Sequence, residues 1–116
     1  MKKLILGLIP MFQFYGLFAQ EWKHFDSIRR VYQARVSYDT ALVYAEKALD
    51  AAGAEFGEND TVYANMLTAL VEAYYYNSLF DKALACAVED SVLRRKIQGT
   101  NNAGYATTLS WLAYIY

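Results

Sequence analysis

Gly57 to Tyr76 reads GENDTVYANMLTALVEAYYY, and Gly99 to Tyr116 reads GTNNAGYATTLSWLAYIY. The second stretch returns the first in register. Gly57 aligns with Gly99, Asn59 with Asn101, Tyr63 with Tyr105 and Ala64 with Ala106, and each offset is 42 residues. Leu67 then falls on Leu109, Leu70 on Leu112 and Tyr74 on Tyr116. The same shift carries Tyr38-Asp39-Thr40-Ala41-Leu42 onto Phe80-Asp81-Lys82-Ala83-Leu84, and Phe25, Ile28 and Tyr32 onto Leu67, Leu70 and Tyr74. A fixed period of roughly 20–50 residues marks a repeat array, in which each unit buries its apolar face only against its neighbours.

Within each period the spacing is helical. Trp22, Phe25, Ile28, Val31 and Tyr32 recur at three and four residues, which predicts an amphipathic helix over 22–36. A break near Ser37 leads to a second helix over 38–56, with Tyr38, Ala41, Leu42, Ala45, Ala48, Leu49 and Ala52 on one side. Gly53 and Gly57 bracket its exit, and Gly57 is the better left-handed cap. Asn59, Asp60 and Thr61 offer side-chain oxygens to the free amides of a third helix over 60–76. Its stripe is Tyr63, Leu67, Leu70, Val71 and Tyr74, and Asn77-Ser78 form the turn after it. A fourth helix over 79–97 carries Phe80, Ala83, Leu84, Ala87, Val88, Ser91 and Val92. Gly99 stops it, and Asn101-Asn102 cap a fifth running to Tyr116. Sustained alternation of the strand type does not occur. The fold class is therefore all-α: antiparallel helix hairpins stacked as an α-α superhelix of about two and a half repeats, over about 22–57, 64–99 and a partial 106–116.

The amino terminus is a separate segment. Lys2 and Lys3 precede an apolar run, Leu4 to Ala19, which ends on Leu17-Phe18-Ala19. Basic start, apolar middle and small-residue exit are the layout of a secretory signal peptide over 1–19. The run of 16 residues, interrupted by Pro10 and Gln13, falls short of the ~20 needed to span a bilayer. Export to the periplasm or medium is the expected localisation, with no membrane span after cleavage. Removing residues 1–19 takes two lysines and no acid, so the net charge moves from −1 to −3. That charge lacks the basic footprint of a nucleic-acid binder. Cys86 is the single cysteine, so no intrachain disulfide forms even in an oxidising compartment.

Candidate chemistry is sparse. His24 is the one histidine, so a histidine metal site or a Ser-His-Asp triad lacks its partners. Cys86, between Ala85 and Ala87, reads as a small apolar thiol beside the seam of small residues. Glu89 and Asp90 are adjacent, hence about 100° apart on a helix, and do not make a shared-proton pair. Arg94-Arg95-Lys96 complements the dipole at a helix end. No glycine-rich phosphate loop is present, and no metal, cofactor or catalytic residue is expected. Tyr75 and Tyr76 turn away from the packing stripe, and exposed aromatics are enriched at contact surfaces.

The order of large and small residues resembles the tetratricopeptide repeat, in the 42-residue form of kinesin light chains and many exported bacterial proteins. Ile28, Tyr32, Tyr38, Ala41, Ala45, Ala48 and Leu49 match its signature in the first pair. Leu70, Tyr74, Phe80, Ala83 and Ala87 match it in the second, and Leu112, Ala113 and Tyr116 in the third half-repeat. Gly57-Glu58-Asn59 and Leu93 to Gly99 resemble its linker and helix end. Two positions depart. Asp90 stands where alanine is usual, either satisfied by a neighbour such as Arg94 or marking a looser seam; Arg29 replaces a small residue.

The resemblance implies a concave groove lined by the first helices of successive pairs, holding an extended protein or peptide segment. The groove positions it implies are Lys23, Asp26, Arg30 and Gln33, then Asn65, Thr68, Glu72 and Tyr75, then Thr107, Ser110 and Tyr114. Arg30, Asn65, Thr68, Glu72, Tyr75 and Ser110 are the peptide-binding candidates, Asn65 foremost because an amide both donates and accepts. So mixed a groove argues against a strongly acidic or basic ligand. The expected function is a non-catalytic binding scaffold. Its alternative is the regulatory arm of a longer protein with a downstream CHAT-type peptidase or signalling domain. The apolar end at Trp111 to Tyr116 is expected to be covered by further repeats or another chain.

Overall fold

A computed structural model describes residues 21–99 and 102–116. These form five α-helices and no strand: α1 (Glu21–Ala34), α2 (Tyr38–Phe56), α3 (Thr61–Tyr76), α4 (Phe80–Gln98) and α5 (Ala103–Ile115). Each helix packs against the next in sequence, and α3 also meets α5. The proposed leader and Asn101 lie outside the described residues.

The 42-residue period of the sequence is also a period of the backbone. After α1, Ser37 N donates to Tyr32 O at 2.9 Å and Val36 N to Gln33 O at 3.1 Å. After α3, Leu79 N donates to Tyr74 O at 2.9 Å and Ser78 N to Tyr75 O at 3.0 Å. Both are six-to-one and five-to-two pairs, the Schellman closure that satisfies the last carbonyls of a helix. Such a closure needs a left-handed residue, supplied by Val36 at φ 63° and Ser78 at φ 59°. At the second ends, Gly57 and Gly99 take φ +80° and +77°, where a side chain would be strained. The starts of α3 and α5 match too. Asp60 Oδ1 accepts from Val62 N at 2.7 Å, and Asn102 Oδ1 accepts from Gly104 N at 2.8 Å.

The core is built from alanines of α2 and large apolar residues of α3. Ala41, Ala45, Ala48 and Ala52 are buried along α2, as the spacing predicts. Leu67, Leu70 and Val71 fill the centre with Ala45, Cys86 and Ala87, and Tyr63, Tyr74, Trp111 and Leu112 close over them. Small residues on one helix let large ones of the next approach, which is how dense packing is reached between helices.

Three expectations are corrected. Val31 does not join the stripe of α1 but is exposed, and the residues α1 buries fully are Asp26 and Arg29. On α4 the buried face is rotated from the apolar stripe. Ala83, Cys86, Ala87, Asp90 and Arg94 are inside, whereas Phe80 is exposed, as are Val88 and Val92 at 46% and 53%. Arg94 therefore turns into the seam, and Arg95 and Lys96 stay exposed near the carboxyl end of α4, Lys96 Nζ donating to Asn59 Oδ1 at 3.3 Å. The reason in each case is contact with helices distant in sequence, which offer polar partners on one side and leave the other open.

Candidate functional site

Two adjoining cavities run along the side of the molecule where α1 and α3 face outward. One, of about 400 Å³, is lined from α1 by Trp22, Asp26, Arg29 and Arg30 and from α3 by Asn65, Thr68 and Glu72. Arg94 of α4 and Gly104 and Thr107 of α5 complete it. The other, of about 490 Å³, shares Arg29, Arg30 and Glu72 and adds Gln33, Tyr38 and Tyr76.

Two polar clusters build this groove. The first ties α1 to α3. Arg29 Nε donates to Asp26 Oδ1 at 2.8 Å, its Nη1 donates to Gln33 Oε1 at 2.9 Å, and Gln33 Nε2 donates to Glu72 Oε1 at 2.7 Å. Arg29 Nη1 also lies 3.8 Å from Glu72 Oε2, and Arg30 Nη2 pairs with Asp26 Oδ2 at 3.1 Å. The small-residue position that Arg29 usurps is thus occupied by a buried cation whose Nε and Nη1 are hydrogen-bonded.

The second cluster ties α3, α4 and α5. Asp90 is 0% exposed and Arg94 3%. Arg94 Nε donates to Asp90 Oδ1 at 3.0 Å, and the hydroxyls of Thr68 and Thr108 donate to Asp90 Oδ2. Arg94 Nη2 donates to Asn65 Oδ1 at 3.0 Å and to Thr68 Oγ1 at 2.8 Å. An arginine only donates, so the Asn65 atom facing it is the oxygen and the amide nitrogen is left over. Burial pushes the Asp90 carboxyl above the usual carboxylate range, against the lowering by Thr68, Arg94 and Thr108. A buried carboxylate is tolerated here because each oxygen has donors. Of the two alternatives for Asp90, the neighbour that satisfies it is Arg94, and the seam is closed.

Counting what these bonds leave free gives the groove its chemical character. The oxygens of Asp26, Gln33 and Asn65 named above each face a donor within 3.1 Å, as does Glu72 Oε1, whereas Glu72 Oε2 has only the Arg29 cation at 3.8 Å. Arg30, whose side chain is 71% exposed, uses a single nitrogen on Asp26. Asn65 is exposed, and its amide nitrogen has no hydrogen-bond partner among the described residues. The groove therefore holds free donors on Arg30 and Asn65 beside carboxylate oxygens that keep spare lone pairs.

Of the six peptide-binding candidates, Arg30, Asn65, Thr68 and Glu72 line one cavity, and Asp26 and Thr107 line it with them. Thr68 is less available than its position implies, because its hydroxyl is committed to Asp90. Tyr75 stands outside both cavities. It packs edge-on to Phe80 at 5.6 Å and to Trp111 at 5.4 Å, at the turn end of the hairpin. Ser110 is exposed on α5 and donates to Ala106 O of its own helix. Gln33 lines the second cavity, Lys23 is exposed with its ammonium 5.7 Å from the Trp22 ring centre, and Tyr114 is 70% exposed. Arg29 and Arg94 were not among the candidates. The signal for Arg94 lay in the register, since it replaces Ala52 while Gly104 replaces Val62.

Reactive groups are not gathered at the groove. Cys86 is buried, its thiol donates to Leu67 O at 3.6 Å, and burial with Glu89 and Asp90 nearby pushes its pKa up to about 12. Such a thiol stays protonated and unreactive. Among the described residues no cluster of His, Cys, Asp and Glu has the makings of a metal site. None of the described helices is long and apolar enough to cross a membrane. No protein-family model matches this chain, and none of the curated proteins is significantly similar to it.

Proposed function

We propose that this chain is a non-catalytic binding module of an exported protein, a tetratricopeptide-like array that holds an extended peptide or protein segment in the groove along α1 and α3. The observation that carries this reading is the pair of available donors on the cavity lining. The Arg30 side chain is 71% exposed, and the exposed Asn65 keeps its amide nitrogen free while its oxygen is held by Arg94. An extended chain presents a row of carbonyl oxygens, the complement of such a wall. Buried neighbours hold these donors in place, so little side-chain entropy is lost on binding. The balance of Asp26, Glu72 and Asp90 against Arg29, Arg30 and Arg94 favours a ligand of modest net charge. Nucleic acid is not a fitting partner for this surface or for the acidic mature chain.

The uncovered apolar side of α5, with Leu109, Tyr114 and Tyr116 exposed, favours further helical repeats or another chain as its cover.

The test is capture from a peptide library by the full chain, followed by Arg30→Ala and Asn65→Ala. Each replacement weakens captured peptides about tenfold, the worth of one hydrogen bond to a charged or well-held donor. Unchanged affinity for every captured peptide in both variants removes the groove assignment.

A further inference from the structure

α5 is held to the rest of the molecule in a different way from α3. The buried side of α3 comprises Met66, Leu67, Leu70, Val71 and three alanines, whereas α5 buries only Thr108 fully and packs Trp111, Leu112 and Ile115, each partly buried, against the core. The Thr108 hydroxyl donates to Asp90 Oδ2 at 2.9 Å. Among the described residues this is the hydrogen bond that joins a side chain of α5 to another helix; Thr107 and Ser110 bond within α5 itself. Beneath the first turn of α5 lies Arg94. A Cβ at Gly104 would collide with its Nη1 and stand 3.0 Å from its Cζ, so the helix backbone rests directly on the guanidinium.

The same guanidinium reaches the groove from behind. Its Nη2 holds Asn65 Oδ1 and Thr68 Oγ1, and Gly104 and Thr107 of α5 form the far wall of the same cavity. One side chain thus touches the element that closes the cavity and the amide that faces into it.

We propose that Asp90 and Arg94 form a latch linking the docking of α5 to the groove amide Asn65, so that a ligand seated against Asn65, Gly104 and Thr107 selects the docked form. When α5 leaves, Asp90 loses the Thr108 hydroxyl, Arg94 loses its cover, and the cavity loses a wall. A ligand that needs both walls binds the docked state alone and shifts the equilibrium toward it. By linkage, whatever loosens α5 weakens that ligand by the same factor. The latch stands without the binding reading; its consequence for a ligand rests on it.

Amide hydrogen exchange on the ligand-free full chain tests the latch, since the exchange of a helix reports how often it opens. The amides of α5 exchange faster than those of α3 and respond to changes made on α3. Asn65→Ala, which removes a bond to Arg94 and none to α5, speeds exchange of α5 about fivefold and leaves α2 at the wild-type rate. Thr108→Val, of the same shape, speeds it about tenfold. A third variant carries Asp90→Ala, Arg94→Ala, Gly104→Val and Thr108→Met, the residues found 42 positions earlier. In it, Asn65→Ala no longer affects α5. The latch is overturned if Asn65→Ala leaves α5 exchange unchanged in the native background, a result that does not depend on whether the third variant folds. It is also overturned if α5 responds to Asn65→Ala equally in the third variant. Peptide capture by the groove is a separate readout, so loss of either conclusion leaves the other standing.

Discussion

The two seams of the array occupy equivalent places and are made of different matter. Between the first hairpin and α3 lie Ala48, Ala52 and Met66, all buried and apolar. At the positions 42 residues on, between the second hairpin and α5, lie Asp90, Arg94 and Thr108. A fourth position completes the exchange. Val62 becomes Gly104, which opens the space that the Arg94 guanidinium fills. The apolar seam needs shape alone. The polar seam needs shape, matched charge and donors from three helices at once, and all of these are supplied together. The two seams thus share a backbone frame and differ together at these four positions. Trimming the apolar seam costs packing, whereas losing a member of the polar one also leaves a buried polar group without its partner.

That contrast is sharpest under partial and complete removal. Asp90→Ala leaves Arg94 buried without its counter-ion and costs about 3–5 kcal/mol, read as a lower urea midpoint. Replacing Asp90, Arg94, Thr108 and Gly104 together by the residues of the first seam is near neutral or stabilising by about 1–4 kcal/mol, because no charge is then desolvated. If the single variant is as stable as wild type, the pair is not the support of the second seam.

Cys86 extends the comparison to the apolar side of α4. Its thiol pKa is raised from 9.0 to about 12. A raised value means the folded state keeps its proton longer, so the stabilisation is complete below about pH 9 and is lost as pH climbs toward 12. The loss is about 1.4 kcal/mol per pH unit in that window. Cys86→Ala removes this slope, so the stability gap between variant and wild type narrows from pH 8 to pH 10.5 by about 2 kcal/mol. A gap that stays constant would mean the thiol is not buried as described.

Gly104→Ala drives a methyl group into Arg94 and costs about 1–3 kcal/mol by overpacking. Adding Arg94→Ala removes that clash, so the two changes are non-additive. Additive costs in thermal unfolding would separate Gly104 from the Arg94 pocket. The smallest effect compares the two turns. Val36 is β-branched and left-handed, so Val36→Gly raises stability by about 1 kcal/mol, and Ser78→Gly by less.

Legibility from sequence followed the range of the interactions. Helix bounds, the caps Asp60 and Asn102, and the positive-φ glycines came within a residue or two. Each depends on side chains a few positions from the backbone groups they satisfy. Four of six groove candidates fell on one cavity lining, since α1 and α3 hold equivalent places in the repeat. Tyr75 and Ser110 did not, because the rotation of a helix about its axis is set by what packs on it. From sequence, Arg94 is a helix-end cation and a possible partner of Asp90 one turn away, and no more, for the same reason. Nothing within a turn of it on α4 shows that Asn65 and Thr68 wait on α3, or that Gly104 leaves it room.

By itself, the sequence determined the 42-residue period, the helices and the turns between them, because helix periodicity, capping and left-handed glycines are local properties of the chain. Only the tertiary structure decided that Asp90 and Arg94 lie inside while Val88 and Val92 lie outside. Burial of charge depends on donors and acceptors delivered by other helices. Thr68 and Thr108 reach Asp90 from 22 and 18 residues away.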